Sequence, residues 1–299
     1  MDRLQAMTTF VTVVETGGFA SAARKLDVSP SVVSRVVTEL EEHLGVRLLT
    51  RTTRVVRLTD AGSGYFEDCR RILGDIDSAE LSATGTHSSP RGLLSITAPA
   101  MFGRLHVTPI VLDYLQRYPE ADANCWFVDR VVNLVDEGID VAVRIAQLPD
   151  SSLQAISVGR VRRVLCASPA YLAKHGTPRH PDDLAAHVVI ASTGSSTPPE
   201  WRLHDGERQI LVRNHARFTT TTNDSAIAAA LADFGIARLM SYQIAQHVNE
   251  GSLVIVLPEF EPPPLPIHLV HREGRHVTQK VRAFLDLAVA TLRADESLR

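Results

Sequence analysis

Apolar side chains in the first sixty residues recur at helical spacing. Leu4, Met7, Val11 and Val14 follow at steps of three and four, one face of an amphipathic helix that Gly17-Gly18 ends. Residues 19–26 read as a second, short helix in which Ala20, Ala22 and Ala23 are small enough for close packing. Residues 27–29 form a tight connection. Ser29 then suits an N-cap and Pro30 the first helical position, so a third helix is predicted to run to about His43, with Gly45 just beyond its end. Val33, Val36, Val37, Leu40 and Leu44 form its core stripe, while Ser31, Ser34, Arg35 and Thr38 fall on another face. Residues 47–58 have the β-branched and leucine content of two short strands about a turn near Thr52-Thr53.

Thr59 suits the cap of a further helix. Along it Ala61, Tyr65, Cys69, Ile72, Ile76, Ala79 and Ala83 recur at steps of four, four, three, four, three and four, close to a heptad stripe. Such a helix over residues 59–83 would be roughly 37 Å long, and its stripe needs a cover. A second copy of the same helix supplies one; the chain's own second domain is the alternative. Residues 84–92 are small, polar and turn-prone, as in an interdomain hinge. From residue 93 strands and helices alternate. Residues 93–97 read as a strand, followed by a helix to about Tyr118. Residues 123–128 and 141–145 read as strands around a helix over 131–137, which is βαβ organisation with a mainly parallel sheet. Later strands are predicted at 163–167, 188–190, 210–213 and 267–270, and helices at 224–233 and 277–292.

A length of 299 residues allows about two domains. No apolar run approaches the roughly 20 residues that span a bilayer. Met1-Asp2-Arg3 lacks the start of a secretion signal, so a cytoplasmic protein with no membrane partner is expected. A net charge of −3 excludes a chain that is basic throughout, but residues 47–57 hold four arginines (47, 51, 54 and 57) and no acid, a local patch able to grip phosphates. Cys69, Cys125 and Cys166 are too scattered for a disulfide framework or a CxxC metal site and read as small buried thiols, with a redox-sensing thiol as the alternative. There is no GxSxG, GxxxxGK[ST] or GxGxxG, and the histidines, including His175 and His180, form no ligand cluster. No enzyme, cofactor or metal is therefore expected. Paired acids such as Glu41-Glu42 and Asp182-Asp183 read as solvated positions.

A short helix, a tight turn and a second helix that opens with small polar groups and an arginine match a helix-turn-helix, whose second helix enters the DNA major groove N-terminus first. On that reading Ser29, Pro30, Ser31, Ser34, Arg35 and Thr38 lie at the DNA, with hydroxyls donating to phosphates or base edges and Arg35 suited to guanine. The basic hairpin after it is then a wing, with Arg51, Thr53 and Arg54 near its tip at the backbone or minor groove. A plain three-helix bundle followed by a solvated basic loop carries the same pattern.

Residues 19–26 (FASAARKL), 28–35 (VSPSVVSR), Leu40-Glu41 with Leu44-Gly45, 51–54 (RTTR) and 58–62 (LTDAG) together resemble the LysR-type transcriptional regulators, and the likeness extends over nearly the whole chain. Gly18 stands where a serine is usual, Pro30 where a glutamine is frequent, Leu49 where a phenylalanine is frequent, and Met240 where a proline is common. The resemblance implies an N-terminal all-α winged helix-turn-helix (1–58), a linker helix that dimerises (59–83), a hinge (84–92) and a C-terminal α/β effector-binding domain (93–299). The last is like a periplasmic binding protein, with subdomain I at 93–161 and 267–299 and subdomain II at 162–266. The chain would cross between them near 160–163 and return near the stiff, proline-rich 262–266. Expected in the cleft are Ala98, Pro99, Ala100, Met101 and Phe102 at a strand-to-helix turn, Arg144, Ser192, Thr193, Thr222 and Asn223. The implied function is sequence-specific binding of two-fold symmetric promoter sites as an oligomer, modulated by a small-molecule effector. The implied partners are double-stranded DNA, a second copy in a dimer or tetramer, the effector and RNA polymerase. A solute-binding protein or enzyme with a helical appendage, and a cysteine-based redox regulator, are the alternatives.

Overall fold

The computed structural model describes residues 2–51, 56–83, 89–148, 153–192, 200–213, 215–272 and 277–299. Its contacts divide the chain into two compact units, residues 1–94 with 118–122 and 276–280, and residues 95–117 with 123–275 and 281–299.

The first unit opens with α1 (Arg3–Glu15), α2 (Phe19–Lys25) and α3 (Pro30–Leu44). Ala6, Phe10, Val13, Ala22, Ala23, Val33, Val37 and Leu40 close around one core. The face of α1 that enters it is centred on Ala6, Phe10 and Val13; Leu4 and Leu44, both expected inside, are 46% and 37% exposed. Gly45 ends α3 in the left-handed conformation (φ 70°), the C-cap its position implies. The wing strands β1 (Leu49–Arg51) and β2 (Val56–Leu58) pair antiparallel, with Leu49 opposite Leu58 and Arg51 opposite Val56.

The long helix α4 (Asp60–Ala83) starts where expected. Thr59 Oγ1 accepts from Gly62 N (2.9 Å) and donates to Arg47 O (2.7 Å), fastening the helix start to the chain before the wing. A Cβ on Gly62 would lie 1.9 Å from Leu48 O, so only glycine allows this approach. The first half of the expected stripe is not waiting for an external partner. Cys69 is fully buried in the helix-turn-helix core, with Tyr65, Phe66 and Leu73 packed against it. Phe10 meets Tyr65 and Phe66 at ring distances of 5.7 and 6.3 Å. Sequence spacing alone does not show that α1 lies alongside. Further along, Ile72 and Ile76 are half-buried.

The second unit holds two five-stranded sheets. In chain order the strands are β3 (Gly92–Ala98), β4 (Ala121–Phe127), β5 (Val141–Ile145), β6 (Gln154–Val161), β7 (Arg163–Ala167), β8 (Val189–Ser192), β9 (Glu200–Asp205), β10 (Arg208–Arg213), β11 (Ala216–Thr220), β12 (Ile236–Met240), β13 (Val254–Val256) and β14 (Leu265–His271). The orders are β4-β3-β5-β14-β6 and β11-β8-β12-β7-β13, with β9 and β10 as a separate hairpin. The sheets are mixed, not mainly parallel. β3 runs parallel to β5, and β8 parallel to β11 and β12, whereas β14 is antiparallel to β5 and β6, and β7 to β12 and β13. The antiparallel pairs arise where the chain changes subdomain. β6 and β7 belong to different sheets with Arg162 alone between them, and the return strand begins at Leu265, two residues before the expected boundary.

Helices α5 (Ala100–Phe102), α6 (Thr108–Arg117), α7 (Pro169–His175), α8 (Asn223–Leu231), α9 (Ser241–Asn249) and α10 (Gln279–Ala294) complete the unit, with a π-helical turn, Gly103–Val107, between α5 and α6. The helix expected over 131–137 is absent. Asn133 Oδ1 accepts from Val135 N (3.0 Å) and Glu137 accepts from Asn133 N (3.1 Å), so side chains take N–H groups that a helical ladder would use. Among the described residues no helix is long and apolar enough to cross a membrane.

Candidate nucleic-acid interface and ligand cleft

The start of α3 is assembled from its own sequence. Ser29, extended at φ −76°, ψ 149°, caps the helix by accepting from Val32 N (3.4 Å), and its hydroxyl shares a hydrogen bond with that of Ser31 (2.9 Å). Pro30, exposed at the first helical position, lacks an N–H that would be left over there. Ser31, Ser34, Arg35 and Thr38 follow at i, i+3, i+4 and i+7 and so share a face. Ser31 and Arg35 are exposed, and Ser34 and Thr38 half-exposed. Arg35 stands 3.5 Å from Glu39 in a pair that is mostly in water, and such a pair holds a guanidinium weakly. The Thr38 hydroxyl donates to Ser34 O (2.8 Å). Arg51 is the last residue of β1, whereas Thr53 and Arg54 lie outside the described residues.

One acid takes a role the sequence does not announce. Glu41 is 6% exposed, and its Oε1 accepts from Leu48 N (2.8 Å) and Leu49 N (3.0 Å). It therefore ties α3 to the first strand of the wing. Asp183 is likewise more than a solvated acid. It accepts from the N–H groups of Arg179 and His180 (2.8 and 2.9 Å), and those bonds hold its carboxyl below its ordinary range.

In the second unit a cavity of about 320 Å³ opens between the two sheets. Pro99, Asp129 and Ile145 line it from the β3–β5 side, and Arg163, Ser192, Asn223, Arg238, Leu239, Met240, Tyr242 and Gln243 from the other. Pro99, Ser192 and Asn223 were expected there from the sequence. The other expected residues are placed differently. Ala98 is buried at the end of β3, and Ala100 N already donates to Asp129 Oδ1 (3.0 Å). Met101 joins the core around Val164 and Ile190, and Phe102 is fully buried against His106 and Tyr242 (ring distances 4.7 and 5.3 Å). The Arg144 guanidinium donates to Val132 O and does not line the cavity. Thr222 caps α8 by accepting from Ser225 N (3.3 Å), and Thr193 lies outside the described residues.

The sequence reading missed Arg163 and Arg238. Each is a charged residue in an otherwise apolar strand, RVLCA and IARLM, and that was the available signal. Met240 is informative as well: its N–H, which a proline would lack, donates to Gln243 Oε1 (2.9 Å) at the start of α9. Arg162, at the first crossing, donates to both oxygens of Glu261 at the second (2.9 Å each), and Arg104 of subdomain I meets Asp224 of subdomain II at 3.1 Å with both side chains exposed.

Burial pushes the thiols of Cys69 and Cys166 up to about 11 and about 12, and raises that of Cys125 as well. None of the three is an activated thiolate, which weakens the redox alternative.

Residues 4–63 match the family described as bacterial regulatory helix-turn-helix protein, lysR family, and residues 87–293 match the LysR substrate binding domain. An HTH-type transcriptional repressor of Pseudomonas aeruginosa is 36% identical over 96% of this chain and 91% of its own length. The HTH-type transcriptional regulator CrgA of Neisseria meningitidis serogroup B is 34% identical with 96% of each chain covered. The solved structure of CrgA from Neisseria meningitidis aligns with a TM-score of 0.62 at 32% identity, covering 96% of this chain and 98% of that one. The full-length Vibrio cholerae virulence activator AphB aligns with a TM-score of 0.62 at 26% identity, covering 96% and 98%.

Proposed function

This chain belongs to the LysR family of bacterial transcriptional regulators, and from that premise we propose how its parts divide the work. Residues 1–58 bind DNA, 59–83 pair with the same helix of a second copy, 84–92 act as the hinge, and 93–299 hold a small effector in the cleft. The protein is not an enzyme and works in the cytoplasm, where its promoter is. Ser31, Ser34 and Arg35 read bases, and the wing arginines Arg51 and Arg54 fix grip and position. The observation that carries this division is the exposed polar face at the start of α3, next to a hairpin that Glu41 fastens in place. Two copies present two such faces, as a two-fold symmetric site requires. An effector that binds one arrangement of the oligomer more tightly shifts the population, and with it the spacing of the DNA-binding heads.

A gel shift on the promoter region next to the protein's own gene tests the reading. Arg35→Ala is expected to weaken specific binding by about 1–3 kcal/mol and to relax the sequence preference. Arg54→Ala is expected to weaken binding to all sequences alike. Equal loss on specific and random DNA for Arg35→Ala removes its base-reading role, and absence of any shift at low salt removes the DNA-binding reading.

A further inference from the structure

Two guanidinium groups face the cleft with no carboxylate hydrogen-bonded or ion-paired to either among the described residues. Arg163 opens β7 and Arg238 lies in β12. In the β7–β12 register Arg163 is opposite Met240, and Arg238 is two residues before Met240, so the two arginines share one face as diagonal neighbours. Diagonal neighbours have Cα atoms about 7–8 Å apart, within reach of each other for side chains this long. Arg238 rests over the Trp201 ring, 6.0 Å from its centroid, which orients the planar guanidinium. Arg202, the residue after Trp201, adds a third like charge nearby.

Arg163 is exposed and Arg238 half-buried, so water screens part of the repulsion between these like charges and an anion would relieve the rest. Burial lowers the Arg163 guanidinium, with Arg202 adding to the effect. Burial also lowers Arg238, to about 10, with Arg163 and then Arg202 contributing. Both remain charged at neutral pH. Among the described residues the one acid lining the cavity, Asp129, belongs to the opposite wall and has an oxygen engaged by Ala100 N. The uncompensated charge therefore sits on the subdomain II wall, beside the hydroxyl of Ser192 and the amide of Asn223.

We propose that the cleft takes a small organic oxyanion, a carboxylate or a phosphate ester, whose charged end is held between Arg163 and Arg238. The inference rests on the reading of this cleft as the effector site and adds the chemical class and the two residues that select it. A planar fork over an aromatic ring binds a carboxylate or phosphate through paired N–H···O bonds. A volume of about 320 Å³ sits at the small end of ligand pockets, which run from roughly 300 to 1,000 Å³. The rest of the ligand then meets Ile145, Leu239 and Tyr242.

The test uses the full chain, with tryptophan fluorescence, to which Trp201 contributes alongside Trp126, and thermal midpoint as readouts. Benzoate, succinate, glycerol phosphate and inorganic phosphate are titrated to millimolar levels against sodium chloride of equal ionic strength, with benzamide, succinamide and glycerol as neutral counterparts. At least one anion is expected to raise the midpoint and perturb the fluorescence, and the neutral counterparts to do neither. Preference for the carboxylates or for the phosphates identifies the source of the oxyanion. Arg163→Gln and Arg238→Gln should each weaken binding roughly 10- to 100-fold, while Arg144→Gln leaves it unchanged. Arg238→Lys, which keeps the charge and loses the fork, should fall between and guards against misfolding of the glutamine variant. If no anion protects the wild type more than the Arg163→Gln/Arg238→Gln double variant, the proposal is overturned. A neutral compound that binds both proteins equally and moves the DNA footprint overturns it too, while upholding the effector reading. Arginine-dependent anion binding that leaves the footprint unchanged upholds the anion site and removes the effector reading instead.

Discussion

Replacing Glu41 should uncouple the wing from the DNA-reading helix. Its carboxylate is buried and accepts from Leu48 N and Leu49 N, whose residues are each 1% exposed. A hydrogen bond to a charged acceptor contributes about 1.5–3 kcal/mol, and a buried donor left without its partner loses that in full. Glu41→Ala removes the acceptor of both, so the first unit should lose about 3–5 kcal/mol, a large part of the 5–15 kcal/mol typical of a folded domain. Glu41→Gln keeps an oxygen at the same reach but not its charge, and neutral bonds are about half as strong. It should lose about 1.5–3 kcal/mol. The two tryptophans, Trp126 and Trp201, both lie in the second unit. In urea, far-ultraviolet circular dichroism therefore reports both units while tryptophan fluorescence reports the second alone. The variants should unfold earlier by circular dichroism with the fluorescence transition unmoved. A Glu41→Ala protein within about 0.5 kcal/mol of wild type, the range of ordinary surface changes, would refute the reasoning.

Other consequences can be checked in the same way. Gly62→Ala gains about 1 kcal/mol of helix propensity but drives a methyl to 1.9 Å from Leu48 O. A net loss of about 1–3 kcal/mol is expected in the same circular dichroism titration, and a stabilised variant would contradict the close approach. His106 is lowered from its ordinary 6.5 by burial, against the pull of Asp295 at 3.1 Å. As pH falls through about 6.5 the unfolded chain takes a proton that the native state resists, so stability present above that pH is lost below it. His106→Gln should flatten this part of the melting-temperature profile of the second unit; an unchanged slope would show that the ring does not carry it. Cys69 and Cys166 should resist a thiol reagent until the chain unfolds, with the half-buried Cys125 reacting first, and rapid labelling of Cys166 in the native protein would show its strand to be open.

The sequence made the first unit legible because its signals are local. A serine cap, a proline at the first helical position and a glycine just past the last fix α3 within a few residues, and a threonine fixes the start of α4. Side chains that answer to distant parts of the chain were not legible. Glu41 reads as one of two surface acids until the strand that begins eight residues later folds back over it. Phe102, placed at the cleft by its strand-to-helix position, is taken into the core by Tyr242, some 140 positions away. The turn at 131–137 has helical composition, but Asn133 and Glu137 satisfy its backbone instead. Arg163 and Arg238 become a pair only through the β7–β12 register, which no local pattern encodes.

The seating of α4 on Phe10 and Cys69 makes the long helix a shaft keyed to its head. With its first turns locked into the core, it cannot swivel under the DNA-reading face, and whatever holds its far end sets that face's azimuth directly. A helix advances about 1.5 Å and turns about 100° per residue. One residue inserted beyond Leu73, the last α4 residue packed on that core, would therefore turn the head by more than a quarter revolution relative to the far end of the helix. In the paired arrangement proposed above, length along this helix is thus a phase setting between the two heads.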